Sequence, residues 1–379
     1  MNVIQRWISW LASAASALLV FSPAPATTAA TPQQPVTQQP VAAQSLTPQQ
    51  LAGQRVIYSY TGLTPPADLL QHIEAGEAAG VIFFGDNISN LTQISSVIQT
   101  LDQANAQSPV KEPLLLMTDQ EGGEVRRLPG GPTNSEKTIG ASSDPSAEAA
   151  SAGTDAGQLL ASVGMNVNLA PVLDVYRTPG DFDDQYQRSY SSNPNIAASA
   201  GSAFVTAQQK TGVAATVKHF PGLGAATASE DTDTEPVTLN VSLSDLRGID
   251  ELPYPAAISA GVKLVMVSWA VYPSLDPNYP AGLSSIVVQQ ELRGRLGFQG
   301  VTITDALEAG ALENFGTDSQ RGVSAAGAGM DLLLCASGQP SQGDDVETGL
   351  VAALQSGQLN SASFNASVQR ITNLRNSLS

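Results

Sequence analysis

The sequence predicts a (β/α)8 barrel of the TIM type forming a single catalytic domain, and three observations predict it. Eight short runs rich in Val, Ile and Leu recur from Leu51 onward. They are apolar on both faces, as strands covered on both sides must be. The stretches between them have Ala and Leu at helical spacing and are long enough for the crossover helices that parallel neighbours require. Eight such units in about 330 residues suit a closed barrel, which takes roughly 250 residues or more. The competing architecture, an open doubly wound sheet, would carry a glycine-rich phosphate loop after its first strand, and the sequence has no G-x-G-x-x-G or Walker loop there.

Taken in order, the chain opens with Arg6, the apolar run Trp7–Phe21 and Ala24-Pro25-Ala26, the small-x-small pattern that a signal peptidase cuts. An export signal over residues 1–26 is expected, and with it a secreted or cell-envelope location. Serines break the apolar run, which falls short of the ~20 residues of a membrane span. No cysteine follows it to carry a lipid. Residues 27–48 hold almost no large apolar groups, so they cannot offset chain entropy by burial and are expected to be a flexible linker.

The barrel domain is expected over residues 49–379. Its strands fall at Arg55–Tyr60, Gly80–Gly85, Leu114–Asp119, Val167–Asp174, Ala215–Phe220, Leu264–Trp269, Val301–Asp305 and Met330–Cys335. Leu350, Leu354, Phe364, Val368 and Ile371 are spaced helically and read as helices that close the barrel without carrying a site. Cys335, at the end of the last strand, reads as a small buried hydrophobe.

Composition removes whole classes of function. The chain has 17 Lys+Arg against 34 Asp+Glu, a net charge of -17, so its surface repels nucleic-acid phosphates and anionic lipid heads. One cysteine excludes an intramolecular disulfide framework and any multi-cysteine metal cluster. His72 and His219 are the only histidines, too few for a His-rich metal centre. The chemistry must run on carboxylates, one histidine or hydroxyls, with no metal and no organic cofactor.

Unusual polar residues collect where such chemistry would sit. Asp119 ends the third run, Asp174 the fourth, Lys218-His219 lies near the end of the fifth, and Asp305 ends the seventh. An Asp after a strand often does no more than cap the next helix. In a barrel, however, the C-terminal strand ends form one rim, and these residues, with Arg127 and Arg188 in the following loops, become neighbours around one pocket.

The segments carrying these residues are Asp119-Gln120-Glu121-Gly122-Gly123 with Arg127, Leu169-Ala170-Pro171-Val172-Leu173-Asp174, Arg188-Ser189-Tyr190 and Lys218-His219-Phe220-Pro221-Gly222. Met266-Val267-Ser268, Tyr272-Pro273, Leu296-Gly297-Phe298-Gln299-Gly300 and Thr304-Asp305 follow. In this order, from about Thr47 to the C-terminus, they resemble glycoside hydrolase family 3, particularly the single-domain β-N-acetylhexosaminidases of bacterial peptidoglycan recycling. The resemblance implies a (β/α)8-type barrel acting as a retaining exo-glycosidase on terminal β-linked N-acetylglucosamine in cell-wall or chitin-type fragments. It places the nucleophile at Asp305 and assigns Asp119, Arg127, Arg188, Lys218 and His219 to sugar hydroxyls. A monomer with a carbohydrate as its only partner is expected. A β-glucosidase-type hydrolase and a sugar-binding protein without catalysis are the alternatives.

Retaining glycosidases need an ionised carboxylate that attacks the anomeric carbon and an acid that protonates the leaving oxygen. Lys218 and His219 are expected to be the cations that keep Asp305 ionised. The acid is where the sequence departs from the family. Recycling enzymes place an Asp-Ser-His dyad in the loop after K-H-F-P-G-H-G, whereas here Leu223 replaces the second histidine and the loop contains none. With two extra residues allowed, Asp231-Thr232-Asp233 occupies the place of the dyad; without them, Asp231 alone takes the histidine's position. Crowding among Glu230, Asp231, Asp233 and Glu235 would raise the pKa of some of them, so Asp233 or Asp231 is the candidate acid. Trp269 stands where relatives often have His, and a different pocket floor is expected.

Overall fold

A computed structural model describes residues 46–378. The expected signal segment, and all of the expected linker except its last three residues, lie outside them. Of those three, Thr47 caps a helix, Pro48–Gly53, its side chain accepting from the Gln50 N–H. Among the described residues no helix is long and apolar enough to cross a membrane.

Eight parallel strands close into a barrel in strict chain order: β1 Val56–Tyr58, β2 Gly80–Ile82, β3 Leu115–Thr118, β4 Val167–Asn168, β5 Ala214–Phe220, β6 Leu264–Val267, β7 Val301–Ala306 and β8 Leu332–Leu334. The seam closes where Val56 of β1 pairs with Leu333 of β8. Each strand lies within, or within one residue of, the run that predicts it. Side chains alternate as the pleat requires: Val56 and Tyr58 belong to the core between strands and helices, and Ile57 to the core inside the barrel.

Helices clothe the outside because their sequences carry one apolar stripe and a stop at each end. In Leu91–Gln107, Asn90 caps the first turn, and Ile94, Val97, Ile98, Leu101 and Ala104 are the buried face at i, i+3, i+4, i+7 and i+10. The closing helices are Pro340–Ser356 and Ser361–Asn376, and Cys335 is fully buried. Inside the barrel the apolar filling ends at Ile82, Leu169, Met266 and Leu334, which contribute to the lining of a cavity at the C-terminal rim. The fold thus leaves a cup whose walls are the loops after the strands.

Candidate active site

The cavity has a volume of about 570 Å³, and Asp119, Arg127, Arg188, Lys218, His219, Asp231, Asp233 and Asp305 all line it. Of the polar residues that the sequence places at the rim, all but Asp174 therefore meet the same space, from the ends of β3, β5 and β7 and the loops after β3, β4 and β5.

Lys218 and His219 are adjacent, and strict alternation would send them to opposite faces of β5. The ladder to β6 shifts register between Val217 and Phe220, and both side chains reach the cavity. Lys218 is only 2% exposed, and its Nζ lies 2.7 Å from Asp119 Oδ1 and 2.7 Å from Glu121 Oε1. Arg188 grips the same Glu121 with Nε and Nη2, both at 2.9 Å, and reaches Asp183 Oδ1 with Nη1 at 2.8 Å. Burial alone would raise the pKa of Glu121, but Arg188 and Lys218 hold it well below the usual carboxylate range. These ions form one lattice across the base of the cavity. Arg127 adds a cation beside it; its Nε has no hydrogen-bond partner among the described residues.

His219 corrects an expectation. Its Nδ1 sits 2.6 Å from Asp174 Oδ2, but burial pushes its pKa down to about 4, against the pull of Asp183. At neutral pH the ring is an uncharged imidazole, so it acts on Asp305 as a cation only where it is protonated, in acid. The reason is desolvation: the ring is buried, and the charged form would have to give up water. Asp174 is likewise fully buried and does not line the cavity; it takes the Leu223 N–H at 2.6 Å and holds the His219 ring.

Asp305 lies in the last turn of β7, not at the cap of a helix. Its Oδ1 accepts the Ala306 N–H at 2.8 Å, and Oδ2 accepts nothing from the described residues. Burial raises its pKa, opposed first by His219 and then by the Ala306 N–H and Lys218, while Asp233 raises it further. The next carbonyl, of Ala306, is fixed by Trp269, whose Nε1 donates to it at 2.8 Å. Trp269 is buried and does not itself line the cavity, so it acts on the floor indirectly, by holding the backbone after Asp305.

The acidic loop folds over this carboxylate. Asp231 shapes the turn: its Oδ1 accepts the Asp233 N–H at 2.9 Å, and its carbonyl accepts the N–H groups of Thr234 and Glu235. The Asp233 carboxyl accepts no hydrogen bond from the described residues and faces the cavity. The residue is exposed on the loop, yet desolvation of its carboxyl raises the pKa, and Asp231 and Glu308 add to that against the pull of Arg188. Two backbone bonds staple the loop to the segment after β7: Gly310 N–H to the Asp233 carbonyl at 2.8 Å and Ala311 N–H to that of Thr232 at 3.0 Å. Gly310 approaches so closely that a Cβ there would lie 2.3 Å from the Thr234 carbonyl carbon.

Four acidic groups escaped the sequence reading. Glu121 was within reach, since D-x-E places it two residues after Asp119 in a short β-hairpin, Gln120–Gly122 with Val125–Arg126. Asp183 and Glu136 are brought in on the short helices Phe182–Gln185 and Glu136–Gly140, Asp183 meeting Arg188 and Glu136 accepting the Val172 N–H at 2.9 Å. Glu308 lines the cavity three residues after Asp305, held by the Ala336 N–H and Gln342 Nε2. No local pattern marks any of these three.

Carboxylates with free oxygens beside a lattice of ion pairs at a barrel rim are the groups that acid–base and nucleophilic chemistry requires. The comparisons make this specific. The model of the glycosyl hydrolase family 3 N-terminal domain matches residues 49–374, and the chain belongs to that family. It is a glycoside hydrolase. An uncharacterized secreted glycosyl hydrolase of Arthroderma benhamiae is 50% identical over 331 residues, 86% of this chain and 93% of that one. Among solved structures, a β-N-acetylhexosaminidase from Beutenbergia cavernae superposes with a TM-score of 0.80 at 30% identity, covering 88% of this chain and 99% of that one. A family 3 β-N-acetylglucosaminidase from Paenibacillus sp. gives 0.83 at 34% identity; there the match covers 88% of this chain but only 63% of the relative.

Proposed function

We propose that the protein is an exported retaining exo-glycosidase that releases terminal β-linked N-acetylglucosamine through a covalent glycosyl–Asp305 intermediate. The observation that carries this reading is the pairing, in one cavity, of a free Asp305 oxygen with a free, partly desolvated Asp233 carboxyl. Asp305 Oδ2 attacks the anomeric carbon while Asp233 gives its proton to the departing glycosidic oxygen; the Asp233 carboxylate then takes a proton from water as that water displaces Asp305. The raised pKa of Asp233 suits this, because an acid must still hold its proton when substrate arrives. Of the two loop candidates Asp233 takes the role, since Asp231 uses its carboxylate on the turn.

Asp119, Lys218, Glu121, Arg188 and Arg127 hold the sugar hydroxyls in this reading. Ion pairs that already neutralise one another offer both donors and acceptors to a neutral sugar without a net charge to desolvate. His219, neutral, offers its Nε2 in the same way. Export rests on the signal pattern at the N-terminus and on the secreted relative. The N-acetyl sugar rests on the two structural relatives, a β-N-acetylglucosaminidase and a β-N-acetylhexosaminidase. The test is a 2-acetamido-sugar bearing a fluorine that slows turnover of the covalent adduct, followed by peptide mass mapping. The label should sit on Asp305; a label on another residue, or steady inversion at the anomeric centre by NMR, overturns the mechanism.

A further inference from the structure

We infer that Tyr186, on the edge of the cavity, is the platform of a leaving-group subsite that binds the second pyranose of the substrate by ring stacking. The inference rests on the proposed glycosidase reading and extends it from the sugar that is attacked to the one that leaves.

Tyr186 is 45% exposed, one of four large hydrophobic side chains so exposed among the described residues, and of those four it alone lines the cavity. Phe182 packs against its ring nearly at right angles, at a centroid distance of 5.8 Å, and almost half of the residue stays open to solvent. An exposed aromatic face braced from behind is the surface that the C–H groups of a pyranose cover, gaining burial without needing any particular hydroxyl.

Its place in the fold says which sugar it meets. The general acid protonates the oxygen between the two rings, so the leaving ring must lie on the acid's side of the cleft. The Tyr186 segment is tied to the acid-bearing stretch along its length: Arg177 N–H to the Gly224 carbonyl at 3.1 Å, Phe182 N–H to Ala226 at 3.0 Å, and Gln185 Nε2 to Ala228 at 2.9 Å. The buried Lys218–Glu121–Arg188 lattice that fits the attacked sugar is at the base; Tyr186 stands at the mouth.

The test compares Tyr186→Ala and Tyr186→Trp with the native enzyme on two substrates. N,N′-diacetylchitobiose has a second ring to stack, whereas N-acetylglucosaminyl fluoride has none. Tyr186→Ala should lower kcat/KM on the disaccharide roughly tenfold, mostly through KM, with a loss under about twofold on the fluoride, and Tyr186→Trp should restore the disaccharide. Equal losses on both substrates would make Tyr186 a structural residue, and no loss on either would remove the subsite. Native enzyme that hydrolyses neither compound would instead refute the N-acetylglucosaminidase reading on which the subsite rests, an outcome visible before any variant is made.

Discussion

The two halves of the cavity are built on opposite principles. The base is a closed set of buried ions, Lys218, Glu121, Arg188, Asp119 and Asp183, whose side chains fix one another at 2.7–2.9 Å on strand ends and adjoining loops. The acid loop is held instead by backbone: an Asp231 turn and the two bonds to Gly310 and Ala311. A group that must recognise a neutral sugar gains from being immobile and charge-balanced. A group that must hold and release a proton needs a carboxyl without a fixed partner, and only a loop clamped by its main chain can position such a carboxyl while leaving it free.

The sharpest way to break this contrast is at the base. Lys218→Met leaves Asp119 and Glu121 without their shared ammonium, and losing one partner of a buried pair costs about 3–5 kcal/mol. Urea denaturation should show that loss, and kcat/KM should fall alike for good and poor leaving groups, because sugar binding and not proton transfer is damaged. Selective loss on poor leaving groups would mean that the base and the acid are not separate devices.

Asp233→Ala should do the reverse. Stability should change little, while activity falls on the order of a hundredfold for poor leaving groups and far less for activated aryl glycosides. A pH profile sharpens it. Asp233 must hold its proton to act, and desolvation with Asp231 and Glu308 raises its pKa. Asp233→Asn removes that titrating acid, so the basic limb should vanish from the pH profile of the residual aryl-glycoside activity; an unchanged basic limb would contradict the assignment.

The smallest change expected is Gly310→Ala. The added Cβ would lie 2.3 Å from the Thr234 backbone, so the staple must open by a fraction of an ångström or more. A milder copy of Asp233→Ala is the outcome, about tenfold on poor leaving groups, in keeping with the sensitivity of proton transfer to geometry. Native activity on those substrates would show that the staple is incidental.

Much of this was legible in one dimension, for a physical reason. Strands buried on both faces must be short apolar runs, crossovers must be helical, and a rim residue must follow a strand, so the eight runs, Asp305 and the Lys218-His219 pair could be placed from local pattern. The acid loop was legible as chemistry, because a histidine was missing and carboxylates stood in its place, but not as a choice between Asp231 and Asp233. That choice depends on which carboxylate turns inward to cap a backbone N–H.

What the linear chain determined, then, is the barrel, the family and the list of polar groups that meet at its rim, since each follows from residue type and spacing. Tertiary structure alone decided their states. His219 is neutral because the fold buries it next to the cations Arg188 and Lys218, and it shares the cavity with Lys218 where the β5 ladder slips. Glu308 lines the cavity, Asp183 meets Arg188 and Glu136 takes the Val172 N–H because segments far apart in sequence come together at the rim. Burial and register belong to the assembled barrel, and they set charge and direction for side chains whose identities the sequence supplies.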